Sequence, residues 1–251
     1  VPLDFFRDWA ARRADRPSLM ASAIEAPGFD PAPYGFDLII RFDGQGEGCS
    51  SEIAPVNLDR RAIAAESPEP PAIAITPNQA AYVIFTSGSS GNPKGVLVEH
   101  AAVINLIHAI QADIYTPLVA SKGLPPALDI SCCFSFAFDG SIHHIFTPLL
   151  NGHTLHLPGD ETRQDPRRLH EFIESHHLNV VDSTPSLFAL LVDFWQESRA
   201  ESTANCFILG GEALSATLME RFYDLPGHRD IEVWNAYGPT EACVAACQYR
   251  M

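Results

Sequence analysis

An α/β fold, with a mainly parallel sheet covered by helices, is what this chain predicts. Three observations point there. From Ala80 onward, short apolar runs rich in Val, Ile and Phe alternate with longer segments of helical period. The runs AAYVIFT, LDISCCF, NVVDST, CFILGG and IEVWNA alternate with helical segments, the order expected of a mainly parallel sheet covered by helices. Finally, polar, glycine-containing stretches follow several of these runs, where open parallel sheets place their binding loops.

In order, the reading begins with a helix over residues 3–14, with Phe5, Phe6, Trp9 and Ala10 on one side. Residues 21–71 carry GFDPAPYGFD, DGQGEG and ESPEPP, rich in Pro, Gly and charge, and read as loops or linker. Strands follow at AAYVIFT and GVLVEH, then a helix from about Ala101 to Ala112 and the strand LDISCCF. A helix from Phe138 to Leu150 leads to the short strand TLHL, the helix RRLHEFIESHH and the strand NVVDST. The helix starting at Pro185, the strand CFILGG, a helix around Thr217 to Tyr223 and the strand IEVWNA complete the alternation. Two parts result: residues 1–79, a helix with an irregular, incomplete first subdomain, and residues 80–251, an α/β core with the chemistry.

Composition narrows the function classes. The 251 residues are 46% apolar, enough for a large core, and carry a net charge of −15. That charge repels phosphate backbones and anionic lipid, so neither nucleic acid nor membrane is an expected partner. No apolar run suggests a bilayer span, and the N-terminus does not resemble a signal peptide, so a soluble cytoplasmic protein is expected. The six cysteines lack paired spacing and read as buried reduced thiols. His153 and His156 on a strand would point to opposite faces, poor geometry for a shared metal.

The stretch TSGSSGNPKG between two strands carries the densest chemistry. Thr86, Ser87, Ser89 and Ser90 offer hydroxyl donors, Gly88 and Gly91 let backbone approach an anion, and Lys94 adds a positive charge. A polyphosphate cradle needs these groups together. The spacing is not that of the GxxxxGK[ST] loop, because neither Ser nor Thr follows Lys94.

AYVIFTSGSSGNPKG resembles the phosphate-binding signature of adenylate-forming enzymes, and NAYGPTE (Asn235 to Glu241) resembles a second signature of that superfamily. FDGSIHHIF at 138–146 is similar to the substrate motif of amino-acid adenylation domains in nonribosomal peptide synthetases. The resemblance covers residues 80–251 and implies the large N-terminal lobe core of that fold. It further implies ATP and Mg²⁺ as cofactors, an amino-acid substrate, and a carrier-protein phosphopantetheine thiol as acceptor. Whether a small activating partner protein binds stays open. The family continues past YGPTE through a ribose-binding aspartate, a hinge and a small C-terminal lobe with a catalytic lysine. None of these precedes Met251, so these residues alone are expected to turn over slowly.

Carried over by motif, the resemblance assigns the ATP phosphates to Thr86, Ser87, Gly88, Ser89, Ser90, Gly91 and Lys94. Adenine falls between Tyr237 and the backbone of Gly211, Glu212 and Ala213, with Asn235 and Gly238 in the same site. Thr240 contacts phosphate, Glu241 holds Mg²⁺, and Lys94, Thr240 and Glu241 are the catalytic set. Asp139 matches the carboxylate that grips the substrate α-ammonium, and Gly140, His143, Asp182, Ile208, Gly210, Ala236, Val244 and Ala245 line the side-chain pocket.

Residue chemistry adds its own reading. Asp139 and His143, four apart, share one helix face, with Ile142, Ile145, Phe146, Leu149 and Leu150 anchoring the rest. An acid at a helix N-terminus is also favoured by the dipole alone, the competing account of Asp139. Ser183 and Thr184 stand nearer than Asp182 to the cap of the Pro185 helix, which leaves Asp182 to face the pocket. A buried carboxylate needs a partner, and the expected one is a cationic substrate side chain. Alternatives are a non-catalytic amino-acid-binding module and an acyl or aryl acid ligase, the latter disfavoured by Asp139.

Overall fold

The computed structural model describes residues 39–41, 55–57, 75–86, 94–135 and 138–251, the first two segments as backbone only. The expected helix over residues 3–14 lies outside them, as do Cys49 and residues 87–93 of the Ser/Gly loop. Two compact units divide the chain, Val1–Val103 and Ile104–Met251.

In the first unit, β1 (Ile39–Arg41) and β2 (Pro55–Asn57) pair in parallel, two short strands inside the region read as linker. β3 (Ala80–Thr86) and β4 (Lys94–Glu99) form an antiparallel pair, with Tyr82, Val83, Ile84 and Val98 buried. This hairpin is a separate two-stranded sheet, not part of the parallel one.

The second unit holds the six-stranded sheet, in the order β10-β9-β8-β7-β5-β6. Its strands are β5 (Asp129–Cys132), β6 (Thr154–His156), β7 (Val180–Ser183), β8 (Cys206–Gly210), β9 (Glu232–Tyr237) and β10 (Cys247–Arg250). All pairings are parallel except β9 with β10, so the α/β fold expected from the apolar runs is the fold observed. β10 is the strand that the sequence hid: CQYR is short and largely exposed, with no apolar run to mark it.

Helices intervene as the alternation requires. α1 (His100–Ile110) continues through a π-turn, Gln111–Tyr115, into α2 (Thr116–Lys122). The helical run is longer than the sequence expectation, and by length and composition it is sufficient to cross a membrane. One apolar face, with Leu106, Ile107, Ile110, Ile114, Tyr115 and Leu118, is nonetheless buried in the protein, while Ile104 is exposed. α3 (Gly140–Asn151) follows β5, and α4 (Asp160–Gln164) and α5 (Pro166–Ser175) follow β6. α6 (Pro185–Ser198) and α7 (Ala216–Tyr223) complete the set.

Caps explain the starts. Asp165 accepts from the backbone N–H groups of Arg167 and Arg168 before α5, Thr184 from Leu187 before α6, and Ser215 from Leu218 before α7. Pro166 and Pro185 each occupy a first helical position, where no N–H is missed. α5, α6 and α7 bury one apolar core around Trp195, with Phe188, Phe207 and Phe222 packed about it. That core fixes β7, β8 and β9, and the carboxyl ends of β8 and β9 reach the site.

Candidate active site

Three strand ends and one helix start enclose a cavity of about 450 Å³. The register sets what faces it. Cys132 of β5, Asp182 of β7 and Ile208 of β8 lie side by side, and two residues further along β8 Gly210 pairs with Ala236 of β9. Gly210 eases this closeness, since a Cβ there would stand a tight 3.1 Å from the Ala236 carbonyl oxygen.

Of the residues expected in the side-chain pocket, Gly140, His143, Ile208, Gly210, Ala236, Val244 and Ala245 line this cavity together with Asp139. So do Gly211, Glu212, Ala213, Asn235, Tyr237 and Gly238, expected beside adenine. Amino-acid and adenine candidates therefore share one continuous space.

Asp139 sits at the start of α3 in helical conformation. It is 5% exposed, and burial pushes its carboxyl above the usual range. Hydrogen bonds from the Thr240 side chain and the Gly140 backbone N–H oppose that shift, while nearby Glu241 reinforces it. Thr240 and Glu241 form a short 3₁₀ turn, Thr240–Ala242, directly after the Tyr237–Pro239 segment. Neither lines the cavity, yet the Thr240 bond ties their turn to Asp139.

The adenine-side loop is held from behind. Gly211 has a φ of +84°, and a Cβ there would stand 3.0 Å from the Phe138 ring. Glu212 turns its carboxylate to Ser186, accepting from the backbone N–H at 3.0 Å and from the hydroxyl at 2.8 Å. Tyr237 presents a 69% exposed ring on the opposite strand end.

Asp182 departs from expectation. It is fully buried and does not line the cavity, although β7 points it to the same face as Ile208. His144, which does line the cavity, brings its Nδ1 against the Asp182 carboxylate. This contact sets an imidazole of the chain between Asp182 and the cavity without satisfying the carboxylate by a hydrogen bond, and nothing in the site supports a cationic substrate side chain as its partner. Burial pushes Asp182 up and both His143 and His144 well down. His144 was not singled out from the sequence; the signal was the HH doublet whose first member shares the face of Asp139. Phe134 stacks on His144 at 4.9 Å between ring centroids, another lining residue the sequence did not mark.

Further expectations resolve elsewhere. Leu149 and Leu150 are exposed rather than anchoring α3, whose buried side includes Ser141, Ile142, His143, His144 and Thr147. His153 bonds Leu128 N–H and Gln111, and His156 bonds Asp129, so the two serve separate structural roles. Cys247 is exposed, unlike the buried Cys132, Cys133, Cys206 and Cys243.

In the first unit, Thr86 and Lys94 are directly paired across the β3–β4 ladder. The Ser/Gly residues 87–93, including Ser87, Gly88, Ser89, Ser90 and Gly91, connect this pair and lie outside the described residues.

A family model described as AMP-binding enzyme matches residues 38–251. The chain belongs to the AMP-binding enzyme family. Among similar proteins, AMB antimetabolite synthetase AmbE of Pseudomonas aeruginosa is 40% identical over 172 residues, 68% of this chain and 8% of that protein. Bacitracin synthase 1 of Bacillus licheniformis is 36% identical over 177 residues, 70% of this chain and 3% of that protein. This AMP-binding chain therefore spans under a tenth of the length of these relatives. A crystal structure of the nonribosomal peptide synthetase FmoA3 in an AMPPNP-bound form has the same fold, with a TM-score of 0.73 at 24% identity, covering 87% of this chain and 22% of the other.

Proposed function

We propose that this chain is the substrate-binding core of an amino-acid adenylating ligase, which joins an amino acid to AMP before thioester loading onto a carrier protein in nonribosomal peptide synthesis. The observation that carries the proposal is Asp139: a buried carboxyl on the same cavity as Tyr237 and the Gly211–Ala213 loop. An α-ammonium held at Asp139 leaves the substrate carboxylate in the space shared with the nucleotide candidates. Relatives named for peptide synthesis, bacitracin synthase 1 and gramicidin S synthase 2 among them, support the same reading.

In the reaction, a carboxylate oxygen attacks the α-phosphorus of ATP and pyrophosphate leaves with the bonding electron pair. Charge builds on phosphate oxygens, so donors and a divalent cation are required rather than a protein nucleophile. Lys94 and Thr86, fixed opposite each other at the base of their loop, suit the phosphates, and the Glu241 carboxylate suits Mg²⁺. Thr240, bonded to Asp139, links the ammonium grip to the turn carrying Glu241. Mg²⁺ would supply charge neutralisation at phosphate. No preference for a basic side chain is included, because Asp182 does not line the cavity and lies behind His144. A cytoplasmic location, a carrier-protein partner and any activating partner belong to the same proposal.

The test is amino-acid-dependent ATP–pyrophosphate exchange in the full-length protein. Asp139→Asn removes one partner of a buried ion pair, worth roughly 3–5 kcal/mol, so exchange should fall at least about 100-fold. Lys94→Ala and Glu241→Ala should each reduce it as well. Wild-type exchange in the Asp139 variant would overturn the assignment.

A further inference from the structure

We propose that His143, His144 and Asp182 form a binding site for a divalent transition-metal ion, best matched by Zn²⁺, in the wall of the cavity. The donor atoms of these three residues all lie within 4.8 Å of one another, and the residues are 3%, 1% and 0% exposed. Both ring nitrogens of His143, Nδ1 of His144 and both carboxylate oxygens of Asp182 are buried without a hydrogen-bond partner. The contact of His144 with Asp182 is close, but it lacks hydrogen-bond alignment and leaves the remaining atoms unsatisfied.

Five such atoms side by side are an anomaly. A buried unpaired polar atom costs about 1–3 kcal/mol, and native proteins carry only a few scattered over each hundred residues. Two imidazoles and a carboxylate are the donor set of zinc sites with three protein ligands, and a Mg²⁺ or Ca²⁺ ion would call for oxygens instead. The surroundings suit a metal as well. Phe134 stacks on His144 with 6° between the ring planes, which fixes that ring's orientation. α3 packs on β5, and β5 pairs Cys132 with Asp182, so helix and strand present the donors to one point from rigid elements. Burial holds both imidazoles neutral, with lone pairs available, and the proton favoured on Asp182 would leave as the ion enters.

His143 and His144 line the cavity while Asp182 lies behind them, which gives an ion its entry path. Three protein ligands leave a fourth tetrahedral position for water or for a heteroatom of a molecule in the cavity. Such a site would favour small molecules with a metal-ligating side chain over aliphatic ones.

The experiment is titration of the metal-stripped 251-residue chain with Zn²⁺ and, for its visible spectrum, with Co²⁺. One equivalent should bind per chain, with Co²⁺ bands typical of nitrogen and oxygen ligands and no thiolate charge-transfer band. Removal of outer-sphere partners alone costs 10–100-fold in metal affinity, so His143→Phe and Asp182→Asn should each weaken binding by about 100-fold or more. Should Asp182→Asn fail to fold by circular dichroism, His143→Phe, a change at the cavity wall, decides alone. Absence of stoichiometric binding, a thiolate spectrum, or unchanged affinity in folded His143→Phe overturns the proposal. The result is separable from the ligase reading: lost pyrophosphate exchange tests Asp139 and Lys94, whereas metal binding needs neither.

Discussion

Gly238 has no room for a methyl group: a Cβ would stand 2.6 Å from both the Ala246 nitrogen and the Val244 carbonyl oxygen, and 2.8 Å from the Ala245 Cα. All three are backbone or Cα atoms of the chain returning toward β10, and the adjacent Tyr237 carbonyl accepts from Ala246 N–H at 2.8 Å. This crossing brings Val244 and Ala245 to the cavity wall beside Ala236. Replacement by alanine must therefore push two strands apart. Gly238→Ala should lower stability by about 1–3 kcal/mol, the usual range for overpacking, and weaken amino-acid binding in parallel. Urea unfolding checks the first and calorimetric titration the second; an unshifted midpoint would mean that the crossing yields freely. From the sequence this glycine read as one of the adenine-site residues of NAYGPTE, and its close backbone approach left no trace in local composition.

The start of α6 shows how an element positions a site it does not enter. Thr184 caps the helix, its Oγ1 lies 3.1 Å from the Ser186 hydroxyl, and Ser186 in turn donates to Glu212 on the loop opposite Tyr237. Thr184→Ala should cost about 1 kcal/mol for the lost cap. Glu212→Ala should also destabilise, through lost bonds and lost negative charge at a helix N-terminus. Because the two changes share Ser186, the double variant should lose less than the summed single effects in urea unfolding, and strict additivity would show that the network carries no coupling. Elements of this kind were legible in the sequence: cap, proline and apolar run announce α6, and the continuous runs announce β7 and β8. What escaped was pairing between distant segments. Nothing local in NVVDST says that His144 will meet Asp182, and nothing in CQYR says that it will extend a sheet. Motif spacing brought Asp139, His143 and Ile208 to one cavity, but a carboxylate's partner is decided by packing.

At the scale of the whole molecule, the histidines set the response to acid. Burial lowers the values of His100, His153 and His228, and lowers those of His143 and His144 much further. A histidine with a depressed folded value binds its proton more readily unfolded, so as pH drops below about 6.5 the unfolded chain takes up protons that the native one refuses. Stability is then lost on acidification, from the unfolded value down to each lowered one. Asp182 acts in the opposite sense: its raised value lets the native state hold a proton that the unfolded chain has released. Asp139, also raised by burial, acts with it, so the two carboxyls offset at most two protons, whereas His143 and His144 together withhold two and the partly buried His100, His153 and His228 add to them. The metal-free protein should therefore have a lower urea midpoint at pH 5.5 than at pH 7.5, with most of the slope below about pH 6.5. Replacing His143 with phenylalanine should flatten that slope, since one proton-refusing group is gone. A midpoint that holds steady or rises on acidification would mean that the native interior admits protons at these imidazoles.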